Sequence, residues 1–279
     1  AEIPVHIAHI KALGVDLWGQ SQAVISLIES AQAEGIQISA DQYPWLASGI
    51  QIHKAIVPSW ALEGTEEEIQ QRLKDPELLP AIKEEMTENI RRRGGPDSLL
   101  VVISPDKSLE GNTLAELANQ WDISAVDAAL KILSLGVIEP WTRVASFNMS
   151  EADVEAFMAK PWVMTSSDGT DGHPRKYASF ANKYREYVAD KAVLTPQQFV
   201  HRSSALVAET FSIAERGYLK ADYFADIAIV DPQNYRPGAD FANWNELAAG
   251  VEYVFVNGSA AIVDSELQPV FVGRSLRRN

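Results

Sequence analysis

The sequence contains no cysteine in its 279 residues. That excludes a disulfide framework and a thiol nucleophile, and it leaves the compartment open between cytoplasm and periplasm. Positive charge is scarce: 24 Lys and Arg stand against 38 Asp and Glu, a formal net charge of −14. Phosphate neutralisation needs clustered cations, so the balance argues against a nucleic-acid partner. The basic run Arg91-Arg92-Arg93 closes an acidic helical stretch, where cations complement a helix C-terminus. No apolar run approaches the roughly 18 residues of a membrane span, so a soluble protein without a membrane partner is expected. There is no internal repeat, no low-complexity tract and no secretory leader pattern. The first residue is Ala1 rather than Met, which suggests a processed chain or a piece of something longer.

What is present is enough for a core. Hydrophobic residues make up 46%, and the length suits one large domain or two smaller ones. Residues 3–9 alternate as a strand, 21–33 carry a helical stripe (Val24, Leu27, Ile28, Ala31) ended by Gly35, and 36–41 form the next strand. Strand, helix, strand is the order of a parallel crossover. From about Tyr43 to Ser150 the rhythm breaks into charged helices. Capping boxes open two of them at Thr65/Glu68 and Thr113/Glu116, and Ser124/Asp127 opens another in the same style. A strand is expected over 99–104, and this stretch reads as an insertion covering one end of an α/β body. Thr195-Pro196 with Gln198 starts a later helix. Beyond about Leu219 the texture is β: a strand over 225–232, then two strands flanking the Asn257-Gly258 hairpin turn.

The chemistry concentrates after a short apolar run, Pro161-Trp162-Val163-Met164. There Thr165-Ser166-Ser167-Asp168-Gly169 is followed by His173-Pro174-Arg175. A carboxylate at the C-terminal tip of a buried strand is where barrel enzymes place their chemistry; the alternative is a loop cap with His173 and Arg175 solvated. Of five histidines, His6 and His9 share the first strand, and alternation sends them to opposite faces. His9 lies nearer the strand end and is followed by Lys11. Imidazole and carboxylate together suit zinc. Bound metal lowers the pKa of its water to about 7, and a neighbouring carboxylate then moves the proton to a leaving amine. Arg175 would grip a substrate carboxylate through two parallel hydrogen bonds. Such a constellation hydrolyses an acylated amino acid. A zinc site normally takes three protein ligands, and the chain offers two.

At this point the sequence resembles the D-aminoacylases, the N-acyl-D-amino-acid deacylases of the amidohydrolase superfamily. The resemblance rests on many short matches in order over nearly the whole chain. His9-Ile10-Lys11-Ala12 with Trp18-Gly19 resembles the segment around the sixth barrel strand, and Asp41-Gln42-Tyr43-Pro44-Trp45 the end of the seventh. Val57-Pro58-Ser59-Trp60-Ala61 resembles the start of the family's insertion. Phe147-Asn148-Met149-Ser150-Glu151 and 164–169 resemble the approach to the eighth strand, and His173-Pro174-Arg175 the substrate loop. Arg216-Gly217, Ala225-Asp226-Ile227, Val256-Asn257-Gly258 and Gly273-Arg274 match the closing β segment.

The resemblance implies an α/β fold: strands six to eight of a (β/α)8 barrel over 1–212, with an insertion at about 44–150, and part of a small β-sandwich over 213–279. It implies one or two zinc ions, with His9 and Asp168 as ligands and Asp168 as general base and acid. Lys11 would stand at the edge of the catalytic site, and Tyr43, His173 and Arg175 would contact a small substrate bearing a carboxylate. The family's first-strand His-x-His pair, its cysteine ligand and its other barrel histidine have no counterpart here and are expected upstream of Ala1. A partner is then the N-terminal half or a second copy. Asp222 and Ser179 depart from the family's usual glycine and threonine. Two other readings stand beside the deacylase: a non-catalytic binding or scaffold domain, and an amidohydrolase for a cyclic amide.

Overall fold

The computed structural model describes residues 3–276. The expected crossover is present. Strands β1 (Val5–Ile7), β2 (Ile38–Gln42) and β6 (Val163–Thr165) form a parallel sheet in the order β1-β2-β6. Helix α1 (Ser21–Ala33) crosses from β1 to β2. It packs Ile25 and Ile28 with Ala40, Val163 and Phe157 in one apolar cluster, which Ile7 and Ile38 join.

Two expectations need correction. The buried stripe of α1 is Ser21, Ile25 and Ile28, whereas Leu27 is 73% exposed and Val24 also faces outward. Apolar residues at 24, 25, 27 and 28 offer two overlapping stripes, and the sheet takes the one spaced four and three apart. The first strand also stops at Ile7. His9 lies beyond it with a left-handed backbone (φ 41°), so strand alternation does not govern where its ring points.

Residues 47–147 hold their own antiparallel sheet, in the order β3-β5-β4: β3 (Ala47–Gln51), β4 (Leu99–Ile103) and β5 (Arg143–Phe147). Only β4 was expected. Ala-Ser-Gly-Ile-Gln and Arg-Val-Ala-Ser-Phe contain few β-branched residues, and each is a strand because the other pairs with it. Around this sheet lie α2 (Ile52–Ile56), α3 (Glu66–Arg72), α4 (Leu79–Arg92), α5 (Leu114–Trp121) and α6 (Ala125–Leu133). They share an apolar core through Ile82, Met86, Leu114, Leu117, Ile132 and Val144. Both capping boxes form, and Ser124 caps α6. Thr113→Ala removes the Thr113 hydroxyl from the amide of Glu116. It is expected to destabilise the chain by about 1 kcal/mol in urea unfolding.

Of the arginine run, Arg91 and Arg92 sit in the last turn of α4 as expected. Arg93 turns inward, donating from Nε to Ala55 O at 2.8 Å and from a terminal nitrogen to Ser146 Oγ at 3.3 Å.

Helix α7 (Glu151–Met158) leads into β6. Helix α8 (Arg175–Asn182) continues as a π-helix over Lys183–Asp190. Helices α9 (Pro196–Ser203), opened by the Thr195/Gln198 box, and α10 (Ala205–Thr210) follow. The last sheet is antiparallel, ordered β10-β9-β8-β7: β7 (Ile227–Val230), β8 (Val251–Val256), β9 (Ser259–Val263) and β10 (Glu266–Leu267). Asn257 and Gly258 turn β8 into β9 with φ of 50° and 82°, the left-handed pair that Asn-Gly supplies. Among the described residues no helix is long and apolar enough to cross a membrane.

Candidate active site

Because β1, β2 and β6 run parallel, their C-terminal ends share one edge, and the chemistry-bearing residues lie along it. The hub is Asp41 on β2. Its Oδ2 lies 2.8 Å from His6 Nε2, while Oδ1 accepts from the amide of His9 at 2.9 Å and from Ser166 Oγ at 2.5 Å. The other ring nitrogen of His6 meets Ser39 Oγ at 2.8 Å. Burial acts to raise the Asp41 pKa, but the hydrogen bonds from Ser166, His6 and the His9 amide outweigh it and hold the carboxyl below its ordinary range. One carboxylate thus ties together the ends of all three strands. The sequence placed Asp41 at a strand end without assigning it a role. The available signal was its place in β2, parallel to that of Asp168 after β6.

Past the strand ends stand His9 and Asp168, both non-glycine residues with left-handed backbone, φ 41° and 43°. Such conformations cost on the order of 1–3 kcal/mol and gather at functional sites. A chain of contacts joins the two. Lys11 Nζ lies 2.7 Å from His9 Nδ1 and 5.0 Å from the centre of the Tyr43 ring. The guanidinium of Arg175 lies 4.6 Å from the centre of the same ring, and one of its terminal nitrogens pairs with Asp168 Oδ2 at 2.9 Å. The aromatic ring therefore lies between two cations, each committed to a group at the mouth.

The electrostatics follow from burial. The Lys11 ammonium is pushed down to about 8, first by desolvation and further by the nearby Arg175, with Asp168 and Asp41 opposing. The Tyr43 hydroxyl is pushed well above its ordinary value by burial, so it stays protonated. Tyr43 OH and Arg175 Nε are buried polar atoms without a protein partner. Buried donors are ordinarily satisfied, so both are available to a bound group.

His173 stands apart from the others. It is fully buried, Nε2 lies 3.0 Å from Ala47 O, and Nδ1 accepts from the amide of Arg175 at 3.1 Å. Burial, then the Arg175 charge, lowers its pKa to about 3, so the ring is neutral. The pattern assigns the proton to Nε2. Expected at the substrate, His173 instead has both nitrogens engaged by backbone and fixes the start of α8, where Arg175 begins. His53 is buried in α2, and His201 is exposed on α9. Sequence reasoning also passed over Lys183, fully buried on the π-helix with no partner for its Nζ.

For a metal, the described residues offer imidazole and carboxylate, a donor set that suits zinc. Among them no group of three or more His, Cys, Asp or Glu is placed to hold an ion. His9 and Asp168 supply two donors, each already facing a cation, Lys11 or Arg175. These cations take up Nδ1 of His9 and Oδ2 of Asp168, which leaves Nε2 of His9 and Oδ1 of Asp168 as the atoms open to a metal.

The molecule is thus a mixed α/β protein with its polar cluster gathered at the C-terminal ends of parallel strands. No protein-family profile matches the chain. Its homologues are deacylases. It is 27% identical to the D-aminoacylase of Alcaligenes xylosoxydans xylosoxydans over 281 residues, covering 99% of this chain and 49% of that protein. It is equally 27% identical to the N-acyl-D-glutamate deacylase of the same organism over 282 residues, covering 98% and 48%. Among solved structures, D-aminoacylase, described as defining a subset of amidohydrolases, superposes with a TM-score of 0.74 at 26% identity over 99% of this chain and 50% of the other. The N-acyl-D-glutamate deacylase of Bordetella bronchiseptica gives 0.70 at 25% identity over 92% and 46%. That neighbour is complexed with zinc and a phosphonate inhibitor that mimics the tetrahedral intermediate, and a binuclear metal centre is described for D-aminoacylase. This chain spans about half the length of the relatives it matches.

Proposed function

We propose that this chain forms part of a zinc-dependent amidohydrolase that cleaves the amide bond of N-acyl-D-amino acids. In this reading β1, β2 and β6 are strands six to eight of a (β/α)8 barrel, residues 44–150 are an insertion, and 213–279 contribute to a β-sandwich. The remaining metal ligands come from a segment outside this sequence. What carries the reading is the contact chain from His9 through Lys11, Tyr43 and Arg175 to Asp168 along one edge of the sheet, together with the likeness to deacylases.

Bound zinc supplies Lewis acidity there, activating a water and polarising the substrate carbonyl. His9 and Asp168 would hold it. Asp168 takes the proton of the attacking water on a carboxylate oxygen and delivers it to the departing nitrogen, so its microscopic roles are base and then acid. Arg175 holds the substrate carboxylate through its charge and its unpartnered Nε, while Nη2 stays on Asp168. His173 keeps Arg175 in place, and Lys11 and Tyr43 line the edge where the acyl carbonyl enters. The binuclear centre of the relative leaves room for one or two ions in the same arrangement.

The test is Arg175→Ala in the full-length gene product. A charge-assisted hydrogen bond contributes on the order of 2–3 kcal/mol, so kcat/KM for N-acyl amino acids is expected to fall about 100-fold. Cleavage of an acylated amine without a carboxylate should change far less. Unchanged turnover of N-acyl amino acids would remove Arg175 from substrate binding.

A further inference from the structure

A cavity of about 430 Å³ opens between the loop that follows Lys11 and helices α2 and α4. Its apolar wall includes Leu13, Val57 and Pro58, and its charged groups are Lys54, Arg92, Arg93, Asp16 and Glu85. We propose that it binds a small oxyanion, a carboxylate or a phosphate, at a site separate from the strand-end cluster and independent of the hydrolytic reading.

In a chain of net charge −14, three cations converge on one cavity. Of the two carboxylates there, Asp16 accepts at 3.0 and 2.7 Å from Arg91, which lies outside the cavity and also pairs with Glu88. Its distance to Arg92 is 3.9 Å. Glu85 accepts from Trp60 Nε1 at 2.8 Å. Three cations therefore face two carboxylates, an excess of one positive charge. Among the described residues Lys54 forms no salt bridge, and the second terminal nitrogen of Arg93 has no protein partner, although its other nitrogens are fixed by Ala55 and Ser146.

One wall is closely seated against the end of α4. Gly14 has φ +100°, and a Cβ there would lie 2.9 Å from the carbonyl oxygen of Arg92. Its amide donates to Asn148 O at 2.8 Å. The loop thus seats against the end of α4 without a gap that a side chain could fill. The volume is that of a small-molecule site, and a guanidinium with an ammonium beside it is what recognises a carboxylate or phosphate.

Calorimetric titration at low ionic strength tests this with two probes, glutarate and inorganic phosphate. Saturable binding is expected for at least one, and which of them binds identifies the anion. Binding should weaken at least tenfold in the Lys54→Met/Arg92→Gln double variant and fall steeply with added salt. Both replaced side chains are exposed, so circular dichroism should be unchanged. Saturable binding by neither anion, or equal affinity in the double variant, would overturn the proposal.

Discussion

In the zinc-loaded full-length protein, Asp168→Asn is expected to lower kcat for amine release by 10²–10⁴-fold while KM changes little. The substitution keeps the size and planarity of the group but removes its negative charge, and with it the capacity to accept a proton and the ion pair with Arg175. General acid–base catalysis contributes about that factor. The reading is specific because Asp168 has a defined neighbourhood. It is the carboxylate partner of Arg175 at 2.9 Å, and its left-handed backbone holds it beyond β6. Steady-state kinetics measure the effect. Zinc content measured alongside separates proton transfer from metal binding, because a ligand role would also lower the bound metal. Activity within a factor of three of the native protein would take Asp168 out of the reaction.

Lys183→Met is expected to stabilise the chain by roughly 3–5 kcal/mol near pH 7. Lys183 is fully buried, and its Nζ has no hydrogen-bond partner. Desolvation, with a smaller contribution from Arg202 and against the pull of Asp41, lowers its pKa to about 7. The unfolded side chain titrates near 10.5. Between these values the unfolded state binds more protons than the folded state, so stability rises with pH through that window at about 1.4 kcal/mol per unit. The penalty is complete below pH 7 and absent above 10.5. Methionine has a similar shape and no charge to desolvate. Urea unfolding of both proteins at pH 7 and pH 10 should show a large gap at the lower pH that mostly closes at the higher. Equal or lower stability of the variant at pH 7 would mean that Lys183 makes a favourable interaction.

How much of this could be read from the sequence depended on how local each signal was. Capping boxes at Thr65, Thr113 and Thr195 join residues three apart, and all three form. The Asn257-Gly258 turn is encoded by two residues and their left-handed backbone. The parallel crossover followed from period and order. By contrast, β3 and β5 are strands only because they pair over about a hundred residues, which their own composition does not announce. The inward face of α1 depended on which of two stripes the sheet would take.

The site divides in the same way. His9, Lys11, Asp168 and Arg175 stood out as residue types near strand ends, Tyr43 entered only through the family resemblance, and the structure brings all five into one chain of contacts. His173 carried the same kind of signal, yet its position in the sequence gave no hint that both ring nitrogens face the backbone. Asp41 and Lys183 were missed for a shared reason. What distinguishes each is its environment, a carboxylate joining three strands and an ammonium with no partner, and environment is assembled by distant parts of the chain.

The most direct measurement of the proposed centre is the zinc affinity and coordination of the full-length protein with and without the His9 imidazole. His9→Ala is expected to weaken zinc binding at least tenfold, and X-ray absorption should show one fewer histidine nitrogen around any metal that remains. Native affinity with an unchanged set of nitrogen neighbours would contradict the account, because the ring beside Lys11 would then have no part in holding the ion.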